Sequence, residues 1–477
     1  MPHRASNILR VVLLLCCALA LLSPTPAASA PDDRAAARRP RHVTAETREG
    51  RLRIFDEVWE TVRALYYDPN LHGLDWDGLR AKYRPEAASA GGPQELYSVL
   101  RRMLAHLSDP HTRVYEPGRG ADWRETRHIA VGVQLRELSG EPVVARVERG
   151  SPAERAGVRA GDILLSIDAA PVHQLLARRS DAEQMADAQP SDTQPADDGR
   201  AFARASVKRR ARRVAGLFDG PESSTFEAVF REEGGRERTV RLTRELVART
   251  PALRVRRASG AYVVVEFNLF TQEIAAGVAR VFRDELKDAR GLILDLRDNG
   301  GGEADAMTDI ASLLLPPGLP LGRFDDRAGR TRLEPRTRAA LLSSADAPAR
   351  FSGPVVVLTG ARTASAAEVF AAALRESGRA ARVVGEETCG CVLGIRRRHT
   401  LPDGGTLDVS EMDYRTAAGQ RLEGSGVEPD ELVTPTRRSL REGKDPALTR
   451  AVEILKEAGR KRPSAQSSMS RGSGGRM

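Results

Sequence analysis

Two short apolar runs in the second half of the chain are each followed by a turn rich in small residues and then by a helical pattern. The first, residues 292–296, leads into three glycines, and the second, residues 355–358, leads into residues 363–368. Apolar runs of this length predict buried strands, and strands that alternate with helices predict parallel pairing in an α/β layer. Ligand sites in such layers form beyond the carboxyl ends of neighbouring strands. We therefore expect the two turns to build one site.

Ser365 stands at the second turn, where the strand gives way to a helix that stops at Gly378. Its hydroxyl would be held on rigid elements and would face the first free amides of the helix, which can stabilise an oxyanion. The same position also suits a serine that merely caps the helix. The glycines at 300–302 let backbone approach a ligand closely, which favours a site at these turns. The residues alone leave both roles of Ser365 open.

Four motifs follow one another in this part of the chain. They are Asp-Leu-Arg-x-Asn-Gly-Gly-Gly at residues 295–302, Thr-Ala-Ser-Ala-Ala-Glu at 363–368, Val-Val-Gly-Glu-x-Thr at 383–388 and Gly-x-Arg-Leu-Glu-Gly-x-Gly-Val-Glu-Pro-Asp at 419–430. Together they resemble the carboxyl-terminal processing peptidases, the PDZ-containing serine peptidases of family S41 that use a Ser/Lys dyad. The resemblance spans residues 50–455. It implies an α/β plus β fold with a helical N-terminal region and a PDZ domain inserted before a ClpP/crotonase-like peptidase core.

The resemblance also implies roles for particular residues. The nucleophile and oxyanion hole would be Ser365, the amide of Ala366 and the amide of Gly301 or Gly302. The family's general-base lysine follows a Thr-x-Gly sequence, whereas here Thr388-Cys389-Gly390 is followed by Cys391. A lysine whose pKa is lowered by burial can take a proton from serine, a role for which a cysteine is a poor substitute.

The sequence offers no obvious replacement for this base. The chain has six lysines, none near the core motifs in sequence: Lys82, Lys208, Lys287, Lys444, Lys456 and Lys461. His399 follows Cys391 by eight residues, about 26 Å if the segment is extended. His111 belongs to an Asp-Pro-His-Thr turn that the family has outside its dyad, so we assign it a structural role. A disulfide between Cys389 and Cys391 is left open.

The first thirty residues have the pattern of a secretory signal peptide. Arginines precede an apolar run at residues 11–22, which is short for a membrane span, and Ala28-Ser29-Ala30 is a small-residue cleavage site. We therefore predict an exported protein, periplasmic or extracellular. An uncleaved signal that holds the chain at a membrane is the alternative. Cleavage would leave only Cys389 and Cys391, in an oxidising compartment.

Residues 128–172 resemble a PDZ domain, and two further strands around residues 226–230 and 239–242 close it at residue 245. The carboxylate-binding loop of such a domain would be Ala130, Val131, Gly132 and Val133. Backbone amides in such a loop hold a peptide's terminal carboxylate while the peptide adds a strand to the sheet edge. Residues 176–213 interrupt this pattern. They are rich in Ala, Asp, Gln and Arg without an apolar period, which predicts a mobile insertion.

The remaining boundaries follow from composition and apolar periodicity. We predict a disordered linker at residues 31–43, a helical region at 44–127 and a peptidase core at 246–457. Within the helical region, an Asp109-Pro110 turn is expected to end the third helix. The core is expected to close with a helix at 446–457, and a tail rich in Ser, Gly and Arg occupies 458–477.

Three functions remain open at this point. The first is an exported serine endopeptidase that recognises the free C-termini of protein or peptide substrates. The second is a catalytically impaired relative that acts as a peptide-binding adaptor, and the third is a thiol enzyme or redox-gated peptidase built on Cys391. We predict no cofactor and no metal, because residues 300–302 lack phosphate-loop spacing and two cysteines are too few for zinc. The net charge of +9 comes from scattered arginines, so we predict no nucleic-acid partner, and the oligomeric state stays open.

Overall fold

The computed structural model describes residues 43–118, 126–177, 208, 210–211, 213–249, 252–339 and 350–460. The predicted signal peptide, nearly all of the predicted linker, most of the predicted insertion and residues 461–477 of the predicted tail lie outside the described residues. The first three residues of that tail, 458–460, continue the last helix instead. Within the described ranges, no helix combines the length and the apolar composition needed to cross a membrane.

Three helices and a short strand form the N-terminal region. They are α1 (Arg48–Leu65), α2 (Trp76–Ser89), α3 (Pro93–Ala105) and β1 (Arg113–Tyr115). Apolar residues at helical spacing bury one face of α1, and Thr47 caps the helix by accepting from the Gly50 amide at 3.1 Å. The third helix ends at Ala105, four residues before the predicted Asp109-Pro110 turn. Ser108 already has a left-handed φ of 53°, which a continuing helix does not allow.

The PDZ domain is a six-stranded antiparallel sheet with two short helices. Its elements, with those that flank them, are β2 (Thr126–Ala130), β3 (Val133–Leu138), β4 (Glu141–Val147), α4 (Pro152–Arg155), β5 (Ile163–Ile167), β6 (Ala170–Pro171), α5 (Val172–Ala177), β7 (Thr225–Arg231), β8 (Glu237–Thr243) and β9 (Glu245–Arg249). The strand order is β3-β4-β5-β7-β8, with β6 paired to β5 and β2 paired to β9. The predicted strands at 226–230 and 239–242 are confirmed. Strand β3 lies at the edge of this sheet.

The rest of the described chain forms an α/β layer and a second sheet. Its elements are β10 (Leu253–Ala258), β11 (Tyr262–Phe267), α6 (Gln272–Asp284), β12 (Gly291–Asp295), α7 (Ala304–Ser312), β13 (Arg323–Asp326), β14 (Thr331–Leu333), β15 (Val355–Thr359), α8 (Ala366–Glu376), β16 (Ala380–Gly385), β17 (Gly394–Thr400), β18 (Thr406–Arg415), β19 (Glu431–Leu432), α9 (Arg437–Arg441) and α10 (Pro446–Arg460).

The α/β layer has the strand order β10-β11-β12-β15-β16-β19. All neighbours from β11 to β19 pair in parallel, and only β10 is antiparallel. Helices α6, α7 and α8 cover one face of this sheet, and α10 covers the other. Because both faces are buried, β12 and β15 are apolar along nearly their whole length, which is why the sequence predicts them well.

The second sheet joins the core to the N-terminal helices. Its order is β1-β18-β13-β14, and β17 pairs with β18. The turn predicted at residues 401–405 connects β17 and β18 and is confirmed. Leu393, Leu401, Leu407 and Val409 complete the hydrophobic core of α1, α2 and α3. The helical region therefore packs against strands β17 and β18 and the turn between them, which lie far from it in sequence.

Candidate active site

The segments that follow β12 and β15 meet at the carboxyl edge of the α/β sheet. Asn299 is fully buried, accepts the Ala364 amide on its backbone carbonyl at 3.0 Å and donates from Nδ2 to the Phe267 carbonyl at 3.0 Å. The hydroxyl of Thr363 donates to the Leu296 carbonyl at 2.7 Å. These bonds fix the two predicted turns against each other. The two turns therefore lie next to each other, as expected of turns that build one site.

Ser365 precedes α8 in a conformation that few residues other than glycine adopt. Its φ is 55° and its ψ is −124°, a combination that costs free energy and is kept only where the surroundings enforce it. Ser365 and Glu368 form a capping box at the start of α8, in which the Ser365 amide donates to Glu368 Oε2 at 3.1 Å. The Glu368 amide also bonds to the Ser365 carbonyl at 2.9 Å. A capping role and the strained conformation therefore coexist at this serine.

The two glycines nominated for the oxyanion hole differ in what their amides do. Gly301 donates its amide to Asn299 Oδ1 at 2.9 Å, and a Cβ on Gly301 would lie 2.7 Å from the Cβ of Ser365. Gly302 has a φ of 141° and passes so close to Phe270 that a Cβ would lie 2.3 Å from its carbonyl oxygen. Among the bonds of the described residues, none uses the amide of Gly302 or Ala366. Of the three amides nominated for the oxyanion hole, those of Gly302 and Ala366 are therefore available to a ligand.

One buried carboxylate connects Ser365 to the loop that contains Cys391. Glu368 is fully buried and accepts from the Ser365 amide at 3.1 Å and from the Thr388 hydroxyl at 2.5 Å. It also accepts from the amides of Gly390 and Cys391 at 2.7 and 2.9 Å. Burial raises the pKa of Glu368, and these hydrogen bonds oppose that rise. Sequence analysis gave Glu368 no role.

Cys391 forms a disulfide with Cys389, which answers the question that the sequence left open. Its side chain is buried, and its carbonyl accepts the Ser365 amide at 2.8 Å. Cys391 therefore supports Ser365 through its backbone, while its sulfur is bonded to Cys389. His399 pairs with Glu411 at 2.9 Å on the second sheet.

A second group of ionisable side chains adjoins the same loop. Glu423 accepts the amide of Val392, the residue after Cys391, at 2.7 Å. Burial raises the pKa of Glu423 to about 7, and the nearby charges of His111 and Arg421 oppose the rise while that of Asp109 adds to it. His111 Nδ1 lies 3.5 Å from Asp109 Oδ1. Sequence analysis set His111 aside as structural, yet the fold places it within electrostatic reach of Glu423.

Asp109 is held ionised in this group. Burial alone would raise its pKa, but the polar side chain and charge of His111, with the neighbouring hydroxyls of Ser410 and Thr112, outweigh burial and lower the pKa below its usual value. The Thr112 hydroxyl donates to Asp109 Oδ2 at 2.5 Å. The Asp-Pro-His-Thr turn thus brings a carboxylate and an imidazole within electrostatic reach of Glu423. The spacing of Asp109 and His111 in this turn was the signal in the sequence that could have found them.

The predicted carboxylate-binding loop lies between β2 and the edge strand β3. Gly132 has a left-handed φ of 76°, and a Cβ there would lie 2.0 Å from the Cβ of Ser151, the N-cap of α4. The Gly132 carbonyl accepts the Glu148 amide at 2.8 Å, and the Val131 carbonyl accepts the Ala153 amide at 3.1 Å. The loop is fixed through its carbonyls against the start of α4. The role of Ala130, Val131, Gly132 and Val133 in binding a peptide stays a prediction.

Comparison with known proteins assigns the chain to a family. Residues 261–433 match the model of peptidase family S41, residues 47–105 that of the tricorn protease C1 domain and residues 143–187 that of a PDZ domain. The chloroplast C-terminal processing peptidase of Tetradesmus obliquus is 30% identical over 404 residues, which cover 80% of this chain and 77% of the relative. The chain belongs to peptidase family S41. The predicted family and fold class are both confirmed.

Other members of the S41 family support the same assignment over most of the chain. Carboxyl-terminal-processing peptidase 2 of the Arabidopsis thaliana chloroplast is 30% identical over 402 residues, covering 79% of this chain and 68% of the relative. The solved photosystem II D1 C-terminal processing protease has a TM-score of 0.51 at 28% identity, covering 81% of this chain and 93% of that one. Mature CPAF, with a TM-score of 0.58 at 15% identity over 86% of this chain and 96% of that one, shares the fold.

Proposed function

We propose that this S41 family member is an exported serine endopeptidase that recognises free C-termini of protein substrates through its PDZ domain and cleaves them with Ser365 as nucleophile. The observation that carries the proposal is the conformation of Ser365. A serine with positive φ at a turn from strand to helix has the arrangement of a nucleophile presented on a strained turn. The names of the chloroplast and D1 relatives point to the same class of reaction.

The proposed reaction is acyl transfer through the Ser365 hydroxyl. The Oγ attacks the carbonyl carbon of the scissile peptide bond, and its proton passes to a general base. The amides of Ala366 and Gly302 stabilise the negative oxygen of the tetrahedral intermediate. The carbon–nitrogen bond then breaks, the amine leaves with the proton from the base, and water hydrolyses the acyl-enzyme. This chain has no lysine at the dyad position, so the base must be another group.

We propose His111 as that base, with Asp109 and Glu423 as its partners. Three observations support this assignment. His111 is largely buried, with 17% of its side chain exposed, its Nδ1 lies 3.5 Å from Asp109 Oδ1, and Glu423 accepts the amide next to Cys391. A neutral imidazole can accept a proton near neutral pH, and a neighbouring carboxylate stabilises the imidazolium that forms.

A second function, peptide binding without cleavage, is favoured by the disulfide at Cys391. A disulfide sulfur cannot act as a base, and a thiolate nucleophile would also require the bond to be reduced. If His111 does not serve Ser365, the PDZ domain would still present its edge strand β3 to a peptide. The protein would then act as an adaptor for C-terminal peptides.

A fluorophosphonate probe distinguishes the two functions, because it labels only an activated serine. We expect labelling of the wild-type protein and none of Ser365→Ala. His111→Asn should slow labelling and peptide cleavage by roughly 10²- to 10⁴-fold, which is the usual contribution of a general base. His399→Asn is the matched control, since His399 is engaged with Glu411 on the second sheet. Wild-type protein that resists the probe but binds C-terminal peptides would establish the adaptor function instead.

A further inference from the structure

Lys208 lies against the loop in which the dyad lysine is missing. It comes from the far end of the predicted insertion, and sequence analysis set it aside because it is remote from the core motifs. Its Nζ donates to the Ser425 carbonyl at 2.6 Å and lies 3.0 Å from Glu387 Oε1. A Cβ on Gly390 would lie 3.1 Å from the same Nζ. Only 16% of the side chain is exposed.

The groups around Lys208 belong to two segments, 387–391 and 424–427, that are bonded to each other. The Gly424 amide donates to the Gly390 carbonyl at 2.9 Å, and the Val427 amide donates to the Thr388 hydroxyl at 2.7 Å. That hydroxyl is the one that donates to Glu368. The ammonium of Lys208 lies where the two segments contact each other. Its position therefore affects the loop whose amides and carbonyl hold Ser365.

The surroundings of Lys208 show which role it can fill. The carbonyls of Ser425 and Gly424 accept from Nζ at 2.6 and 3.4 Å, and Glu387 Oε1 lies 3.0 Å away as an ion-pair partner. Lys208 is therefore placed as a hydrogen-bond donor and counter-charge to these groups rather than as a base. Glu387 Oε1 is buried, so loss of the lysine would leave a buried carboxylate oxygen without its counter-charge.

We propose that Lys208 is a positioning residue of the peptidase site, which holds segment 387–391 against segment 424–427 and thereby keeps the support of Ser365 in register. The inference rests on the proposed function where it concerns catalysis. It also assigns part of the insertion between α5 and β7 to the active site of this chain. The insertion would then serve the core domain as well as the PDZ domain that contains it.

The catalytic consequence is tested with Lys208→Met, Lys208→Arg and the control Lys444→Met, whose lysine pairs with Glu442 on the exposed surface. We expect Lys208→Met to lower kcat about tenfold, because small displacements of a catalytic group are costly, with KM changed by less than about twofold. Lys208→Arg, which keeps the charge and the donors, should recover most of the loss. Glu387→Gln combined with Lys208→Met should lower kcat no further than the worse single variant.

A readout without activity separates this inference from the proposed function. Hydrogen exchange of peptides covering residues 386–393 and 420–428 should become faster in Lys208→Met and stay unchanged in Lys444→Met. If the wild type is inactive, the proposed function fails and exchange alone decides the role of Lys208. Unchanged exchange in both peptides, or an unchanged kcat in an active enzyme, would overturn the proposal.

Discussion

The amide of Ser365 is held by the Cys391 carbonyl and by the carboxylate of Glu368. That carboxylate also accepts from three donors of the Cys391 loop. Glu368→Gln would put a neutral amide here, with one acceptor oxygen instead of two. Buried donors would then be left unpaired, each at a cost of about 1–3 kcal/mol. Glu368 therefore matters to the site through the position it imposes on Ser365.

The ionisation of Glu423 makes stability depend on pH in a defined direction. Its pKa is raised from 4.5 to about 7 by burial, so the folded protein binds a proton in this range that the unfolded chain does not. The stabilisation from that proton is complete below pH 4.5 and is lost as the pH rises to about 7. Glu423→Gln cannot ionise and keeps an oxygen for the Val392 amide. We expect the melting temperature of Glu423→Gln to rise relative to that of the wild type as the pH increases from 4.5 to 8.

Thermal melts from pH 4 to 8 check this expectation. The exposed Glu453→Gln serves as the control, since Glu453 pairs only at the surface with Arg450. Parallel pH profiles for Glu423→Gln and the wild type would contradict a buried carboxyl with a raised pKa. Under the proposed mechanism, the stabilised variant should also cleave more slowly.

Cys391→Lys tests whether the missing lysine limits activity. The change restores the family's residue at the matching position and removes the disulfide with Cys389. We predict a gain in peptide cleavage that also requires Ser365. Cys391→Ser removes the disulfide without adding a base, so rates with and without reductant separate the two effects. Equal inactivity of both variants under both conditions would refute the account in which the dyad is broken.

At the scale of elements, the PDZ loop offers a matched pair of glycines. Gly132 and Gly140 both have left-handed φ values, 76° and 82°, but a Cβ would meet Ser151 at Gly132 and nothing within 4 Å at Gly140. Gly140→Ala should cost only the backbone strain, about 1–2 kcal/mol. Gly132→Ala should add a steric clash between the loop and α4.

Peptide binding measured by fluorescence polarisation reports the effect. We expect Gly140→Ala to bind a peptide with a small or apolar last residue and a free carboxylate as the wild type does. Gly132→Ala should lose that binding. If amidation of the peptide's C-terminus leaves the wild-type affinity unchanged, the loop does not hold a carboxylate and its assignment is wrong.

The elements that the sequence predicted well are those whose burial is visible along the chain. Strands β12 and β15 are apolar along nearly their whole length because the sheet is covered on both faces, and the turns that follow them contain the motifs of the candidate site. The place of Ser365, the proposed nucleophile, could therefore be derived from the sequence. Its bond to Cys391 and the bonds between residues 387–392 and 423–427 could not be derived in the same way, because those contacts join segments by tertiary packing.

His111 and Lys208 illustrate the limit of that reasoning. Each comes from a separate region, His111 from the end of the helical region towards Glu423 and Lys208 from the PDZ insertion to Ser425 and Glu387. Neither local periodicity nor spacing states which distant loop a side chain will contact. Lys208 was one of six lysines considered as a base, and only the fold shows that it meets Gly390. The sequence motifs identify candidate site residues, whereas the tertiary fold determines which of these residues are in contact.

At the scale of the whole molecule, export stays a prediction, because residues 1–42 lie outside the described part of the chain. The apolar run at residues 11–22 and the Ala-x-Ala motif motivate it. We expect the mature protein to begin near Pro31 or Ala28, as read by N-terminal sequencing of the processed pool. Met1 at the terminus of that pool would contradict the prediction and would favour an uncleaved signal.

The shared core of the N-terminal helices and strand β18 affects how the chain acquires its structure during synthesis. Helices α1 to α3 leave the ribosome early, but Leu393, Leu401, Leu407 and Val409, which complete their hydrophobic core, follow after more than half of the chain's length. Contacts so distant in sequence form slowly, and apolar surface that waits for its partner is prone to aggregation. The N-terminal helices must therefore remain incompletely packed until translation is nearly finished.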